Sequence, residues 1–501
     1  MSPEILAGLL FALAPAALLA NLAGVALGIV FGALPGLTAT MGLALLIPLT
    51  FGIPPVVAFS ALLGVYVGAV YAGSITAILV GTPGTAAAAA ALLEGPAMTK
   101  NGEAKKALTM TTVASVIGGI FSCVVLILVS PQLAKFALTF GPPEYFALAL
   151  FGLSIVAGVS GKSLLKGVIA GLIGLFIASI GLDPVKGTER FTFGSVDLLN
   201  GINVVPALVG LFAISEVLTR VEGKGEQLRS KIGSTSIGLK ISDLKRNWFN
   251  LLRSSVIGTF IGIIPATGSG VASFVAYNEA KRASKDKTKF GKGNVDGLAA
   301  TESANSAVTG GALVPLLTLG IPGDVITAVM LGALMIQGLT PGPMLFTTNA
   351  DVIYGIFMAL IVANIFMLVL GLGATKIFPK LLRIPEGILM PVIVVLCVLG
   401  SYAIANSMFD VMIMLIFGLL GYVMLKVELP LAPLLLAMIL APIAETNFRR
   451  SMLLSQESLS IFFTRPVSAV ILIITILVFG KIIFNEFKKY TLARKLEKES
   501  D

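Results

Sequence analysis

Histidine is absent from all 501 residues. That excludes a His-based catalytic triad, a His-ligated metal site and a histidine proton relay. Cysteine is nearly absent: Cys123 and Cys397 are the two, each inside an apolar run, and they read as packing residues and not as a disulfide or metal pair. Charge is scarce, at 12% of residues, against roughly 25% in a soluble domain. No paired intramembrane aspartate motif and no convincing Ser–Lys dyad is present, so an intramembrane protease is disfavoured and no enzymatic activity is expected. A basic n-region is missing at the N-terminus, so the apolar run from Ile5 reads as a retained helix and not a cleaved signal.

What fills the chain instead is apolar: 56% hydrophobic residues and a mean hydropathy of +0.98. This is the composition of an all-α polytopic membrane protein. The 54 Gly and 25 Pro fit helices that pack closely and break by design. A net charge of +9 would suggest nucleic acid in a soluble protein. Here the basic residues sit between apolar runs, where they set topology, and no nucleic-acid partner is expected.

A bilayer crossing takes about 20 apolar residues. The first half offers spans at Ile5–Leu27, Phe59–Val80, Ala107–Val129, Tyr145–Val159, Leu164–Leu182 and Leu198–Leu218. The second half offers Leu298–Leu319, Val352–Thr375, Ile384–Tyr402, Ser407–Leu425, Leu429–Ala444 and Val467–Phe487, for about twelve in all. Stretches around Pro35 and Pro265 read as re-entrant hairpins. Arg220 to Arg253 carries eight Lys/Arg and Lys281 to Lys292 six. Smaller basic loops hold Lys100, Lys105 and Lys106, then Lys162 and Lys166, then Lys376, Lys380 and Arg383. Placing all of these, and both termini, in the cytoplasm satisfies the positive-inside rule. The tract 444–466 resists it: parity puts it outside, yet it carries Arg449, Arg450 and Arg465, and a partly re-entrant course is one resolution.

One pattern occurs twice. Gly28-Ile29-Val30-Phe31-Gly32-Ala33-Leu34-Pro35 is followed by Gly81-Thr82-Pro83-Gly84, and Gly258-Thr259-Phe260-Ile261-Gly262-Ile263-Ile264-Pro265 by Gly320-Ile321-Pro322-Gly323. Both copies read G-x-x-x-G-x-x-P and then G-x-P-G. The loop charges around them are opposed. The first hairpin leads into an uncharged loop and its G-x-P-G into a basic one, while the second copy reverses the order. Opposed copies predict two inverted-topology repeats, each with a re-entrant hairpin and a broken helix, the plan of many secondary transporters. The expected divisions are 1–218 for the first repeat, 219–253 for a basic cytoplasmic connector and 254–428 for the second repeat. Residues 429–487 then hold C-terminal transmembrane helices and 488–501 a charged cytoplasmic tail.

Gly and Pro breaks in apolar sequence free backbone groups, and in a bilayer these survive only where protein or a cavity satisfies them. Small polar residues gather at each break. In the first copy Thr38, Thr40, Ser74, Thr76, Thr82 and Thr85 surround Pro35, Gly36, Gly81, Pro83 and Gly84. In the second, Thr267, Ser269, Glu302, Asn305, Ser306, Thr309 and Asp324 surround Pro265, Gly268, Gly320, Pro322 and Gly323. Half-helix N-termini suit a carboxylate, and freed carbonyls with half-helix C-termini suit Na⁺. Together these residues form the expected substrate and ion site. Glu302 and Asp324 are its charged members; a dipole partner and a helix cap are the structural alternatives. Thr301, Asn305 and Thr309 fall on one helical face. Glu94 and Glu103, beside a basic loop, read as solvated.

At these residues the chain resembles the large membrane subunit of the tripartite tricarboxylate transporter family. The likeness is carried by Gly32-Ala33-Leu34-Pro35-Gly36-Leu37-Thr38, by Tyr71-Ala72-Gly73-Ser74-Ile75-Thr76-Ala77-Ile78-Leu79 and by Thr82-Pro83-Gly84-Thr85. It continues in Phe290-Gly291-Lys292-Gly293, in the run from Gly310 to Gly323, and in Gly338-Leu339-Thr340-Pro341-Gly342-Pro343. The resemblance implies uptake of di- or tricarboxylates such as citrate across the bacterial inner membrane, driven by an ion gradient. It also implies a small membrane subunit and an extracytoplasmic substrate-binding protein as partners, with no cofactor beyond Na⁺ as the coupling ion. An elevator-like motion follows by analogy with other transporters that pair inverted hairpins. The sequence departs from the family where Thr301 precedes Glu302 and where Thr82 replaces a frequent Asn, which leaves the substrate open. A carboxylate channel and an H⁺-coupled carrier of another organic anion are the rival readings.

Overall fold

The computed structural model describes residues 3–34, 37–159, 163–184, 186–222, 238–265, 267–373 and 386–500. The basic residues Lys162, Lys376, Lys380 and Arg383, residues 223–237 of the connector 219–253, and the terminal Asp501 lie outside the described residues. Among those described, eight helices are long and apolar enough to cross a membrane, against about twelve expected. The apolar stretches at Ala39–Leu49, Leu164–Ala178, Val325–Ile336 and Leu389–Ala405 form shorter helices.

The expected span Ile5–Leu27 is two helices, Pro3–Ala12 and Pro15–Ala33. Composition is uniform across the cut, but Pro15 excludes Ala14 from helical geometry, and Ala14 is extended with ψ 145°. Helix Pro15–Ala33 then becomes the first arm of a hairpin whose second arm is Ala39–Leu49. The second hairpin pairs Ile241–Ile263 with Gly268–Ala283. Both first arms stop in the same way: Leu34 has φ −88° and ψ 116°, and Ile264 has φ −78° and ψ 117°.

Two long helices lie at the centre. Pro55–Val80 ends on Gly81 (φ 81°, ψ 16°), and Val295–Leu319 ends on Gly320 (φ 71°, ψ 18°). Both glycines are left-handed C-caps, a conformation that L side chains resist. The first arm Pro15–Ala33 packs on Pro55–Val80, and the first arm Ile241–Ile263 of the second hairpin packs on Val295–Leu319. Helix Ala104–Ala137 covers Val295–Leu319, while Ala350–Gly373 covers Pro55–Val80. Second arms cross over: Ala39–Leu49 touches Val325–Ile336, and Gly268–Ala283 touches the short helix Ala86–Leu93.

Close approach at these contacts rests on the paired glycines of the repeated pattern. Gly28 and Gly32 face Val65 and Ala69, and Gly258 and Gly262 face Ala304 and Val308. A Cβ at Gly32 would collide with the Ala69 carbonyl, the arrangement expected where small residues let helix backbones meet. Gly32→Val is therefore expected to destabilise by about 1–3 kcal/mol, the range for overpacking. A thermal melt of purified protein in detergent checks it, and an unchanged midpoint would refute the contact.

Outside this centre, helices Pro142–Val159, Leu164–Ala178, Val204–Glu222, Met408–Lys426, Leu431–Leu454 and Pro466–Ser500 form a sheaf with apolar cores of its own. Two of the three awkward arginines find acidic partners here. The chain stays helical to Leu454, and Arg449 pairs with Asp183 at 2.9 Å and with Glu445 at 2.7 Å. Arg190 joins Glu445 at 2.8 Å, and Arg465 meets Glu144 at 3.1 Å. Acidic partners thus accompany Arg449 and Arg465, which loop composition alone does not reveal.

Candidate functional site

The two broken helices lie side by side, and polar side chains connect them. Ser74, buried on Pro55–Val80, donates to Glu302 Oε1 at 2.8 Å. Asn305, one turn after Glu302, donates through Nδ2 to the Val70 carbonyl at 3.3 Å. Tyr66 donates to Asp324 Oδ2 at 2.9 Å. Ser74, Glu302 and Asn305 therefore meet across the seam between the two helices, and Asp324 joins the same seam two turns away, at Tyr66.

Their surroundings differ in one respect. Asp324 is the N-cap of Val325–Ile336, and its Oδ1 accepts from the Thr327 N–H at 2.7 Å and the Thr327 hydroxyl at 2.8 Å. With Tyr66 on the other oxygen, the Asp324 carboxylate is fully partnered. Glu302 is 1% exposed, yet its Oε2 has no hydrogen-bond partner, and neither has Asn305 Oδ1. The Thr82 and Thr85 hydroxyls are also buried and unpartnered. Buried polar atoms are nearly always satisfied in native proteins, so oxygens that can only accept mark a place for a cation or a donor.

The hydroxyls at the first break join this region through the backbone. The Gly84 N–H donates to the Gly73 carbonyl at 3.0 Å. A Cβ on Gly73 would strike the Thr85 side chain, so Thr85 lies over the residue next to Ser74. Gly84 sits against the Gly32 carbonyl and Gly73, just as Gly323 sits against the Gly262 carbonyl and Ala312. The residue that follows each is Thr85 in the first copy and Asp324 in the second.

The remaining residues singled out from sequence serve local geometry. Thr38 caps Ala39–Leu49 by accepting from the Met41 N–H at 3.1 Å. Thr40 lies in the first turn of that helix, and Pro35 and Gly36 fall outside the described residues. Thr76 donates to the Gly73 carbonyl at 3.2 Å and, through its own carbonyl, caps Gly81. Thr267 bridges the second hairpin turn by donating to the Ile261 and Ile264 carbonyls at 2.5 and 2.7 Å. Gly268 opens the second arm with φ 69°, followed by buried Ser269, and Pro265 is buried at the turn. Thr301 and Thr309 turn back onto the Leu298 and Ser306 carbonyls, so of the three residues of the expected polar face it is Asn305 whose side chain reaches across. Pro83 and Pro322 end their helices without an N–H to satisfy.

Two residues were missed. Tyr66 carried no signal beyond its place two turns before Ser74. Glu94, expected to be solvated, is 1% exposed. It accepts from the N–H groups of Gly291, Gly293 and Asn294 at 2.6, 2.8 and 2.7 Å, and from the Tyr277 hydroxyl at 2.8 Å. Its partners lie about two hundred residues away, beyond any local pattern.

With this geometry in place, relatives can be compared. A model described as the tripartite tricarboxylate transporter TctA family matches residues 18–436. An uncharacterised 52.8 kDa protein from the TAR-I ttuC' 3' region of Agrobacterium vitis is 35% identical over 461 residues, covering 92% of each chain. An uncharacterised protein from the TAR-II ttuC' 3' region of the same organism is 38% identical over 215 residues, 43% of this chain and 89% of that one. No solved structure matches.

Proposed function

Because this chain belongs to the tripartite tricarboxylate transporter TctA family, we propose that it is the permease through which a di- or tricarboxylate is imported by Na⁺ symport with alternating access. A small membrane subunit and an extracytoplasmic substrate-binding protein complete the system, in the bacterial inner membrane with both termini cytoplasmic. The observation that carries this reading is the set of unpartnered oxygens. Glu302 Oε2 and Asn305 Oδ1 lie one turn apart on Val295–Leu319, and Ser74 ties Glu302 to the helix that breaks at Gly81. One carboxylate, an amide oxygen and nearby hydroxyls make a hard-oxygen donor set of the kind broken helices offer Na⁺.

The substrate carboxylate belongs at the first break. There the Thr82 and Thr85 hydroxyls face no protein partner. At the corresponding place in the second half the chain's own Asp324 carboxylate is held by Thr327 and Tyr66. On this reading the halves are inverted repeats whose two anion positions have diverged: one is filled internally and the other is open to cargo. Matching end geometries at Leu34 and Ile264, and at Gly81 and Gly320, support the repeat.

Uptake of radiolabelled carboxylates into proteoliposomes containing this chain, the small subunit and the binding protein is the test, with and without an inward Na⁺ gradient. Accumulation that requires both the gradient and the binding protein is expected. Flux that ignores the gradient would make the protein a channel, and accumulation driven by a proton gradient alone would replace Na⁺ by H⁺.

A further inference from the structure

The second hairpin carries a groove on its outer side, away from the broken helices. It measures about 450 Å³ and is lined by Arg253 and Ile257 from the first arm and Val275, Asn278, Glu279 and Arg282 from the second. Its chemistry is graded. Ile257 and Val275 form an apolar floor, continued along the hairpin by exposed Val256, Phe260, Val271 and Phe274. Two guanidinium groups flank the other end and share one carboxylate: Arg282 is bidentate to Glu279 at 2.8 and 3.0 Å, and Arg253 stands 3.7 Å from it. Arg253 Nε has no hydrogen-bond partner. Just beyond Arg253, Trp248 and Phe249 are 55% and 75% exposed. Amphipathic aromatics at that position mark the headgroup level of a bilayer.

We propose that this groove binds an anionic phospholipid, with its phosphodiester contacting Arg253 and Arg282 beside the Glu279 carboxylate they share and its upper acyl chain along Ile257 and Val275. Charge selects the headgroup, since two cations face one anion, and arginine's planar fork suits phosphate oxygens. The continuous apolar floor selects a lipid over a free phosphate, which would gain nothing from Ile257 and Val275. Because the groove spans both arms, the lipid also braces the hairpin whose turn carries Pro265 and Thr267.

The chain's single tryptophan makes the test direct. Phe249 is one turn from Arg253 and on the same helical face, whereas Trp248 lies on a neighbouring face and reports the general lipid annulus. Trp248→Phe combined with Phe249→Trp moves the indole to the groove. The full-length variant is placed in nanodiscs containing brominated phosphatidylglycerol or brominated phosphatidylcholine, and quenching is followed against mole fraction. The expected result is preferential quenching by the anionic lipid, unaffected by inorganic phosphate, with the preference falling about fivefold for each arginine removed by Arg253→Gln or Arg282→Gln. Equal quenching by the two lipids would overturn the proposal. So would a preference that survives both substitutions, or one that inorganic phosphate reverses. Should Arg253→Gln fail to fold, Arg282→Gln decides alone, because that side chain is 78% exposed.

Discussion

Replacing Glu302 by Gln is expected to weaken Na⁺-driven uptake by about 10- to 100-fold, the ~1.5–3 kcal/mol that a charge-assisted contact is worth. The loss should take the form of a raised Na⁺ requirement. Glutamine keeps the shape of the side chain and can still accept from Ser74, so the Ser74 contact at 2.8 Å survives. What disappears is the negative charge on the unpartnered Oε2, and with it the one formal charge available to a cation there. Asn305→Ala removes a neutral oxygen and the link to the Val70 carbonyl, and should shift the same requirement by a smaller factor. Uptake measured across a range of Na⁺ concentrations, with folding checked by a melt, separates the two. A Glu302→Gln protein with wild-type Na⁺ dependence would remove this residue from the ion site.

Much of this region was legible because Gly and Pro act locally. A glycine after a long apolar run and a proline two residues later end a helix wherever they occur, and both breaks fall where the pattern put them, at Gly81 and Gly320. The helix cap offered as an alternative for Asp324 is the role it takes. Its second partner, Tyr66, was not legible, lying more than 200 residues earlier, and nothing local to Glu302 marks its unpartnered oxygen. The cut at Ala14 was hidden because hydropathy averages over it. The course of 444–454 was hidden because the acidic partners of its arginines include Asp183, far off in sequence.

Glu94→Ala is expected to cost about 3–5 kcal/mol of stability, comparable to breaking a buried charged pair. Four donors converge on this carboxylate: three backbone N–H groups of the Gly291–Asn294 loop and the Tyr277 hydroxyl. Truncation leaves them buried without an acceptor, and each unsatisfied group costs about 1–3 kcal/mol before relaxation. Gly291 and Gly293 have φ 83° and 95°, so the loop adopts backbone conformations that other residues resist, and the carboxylate holds it there. Glu94→Gln presents an NH₂ group to some of these donors and should fall between Ala and the native residue. Cys123 and Cys397 are both fully buried and free, so a thiol-reactive fluorophore reports the melt with no cysteine introduced. A Glu94→Ala midpoint within a degree of native would show that water replaces the carboxylate freely.

The contacts between the two central helices also bear on mechanics. Ser74 to Glu302, Asn305 to Val70, and Tyr66 to Asp324 all cross the same seam. Sliding one helix along the other would strand three buried polar groups at once, with nothing to exchange for them. By contrast, the outer sheaf holds an apolar cluster of Ala170, Ile177, Leu211, Phe417, Leu434 and Met438, with its polar contacts, Asn203 to Asp410 and Arg449 to Asp183 among them, outside that cluster. Hydrocarbon surfaces can shift register while keeping most of their contact energy, since dispersion is non-directional. The two broken helices are thus tied by directional contacts, and any displacement of one is expected to carry the other with it.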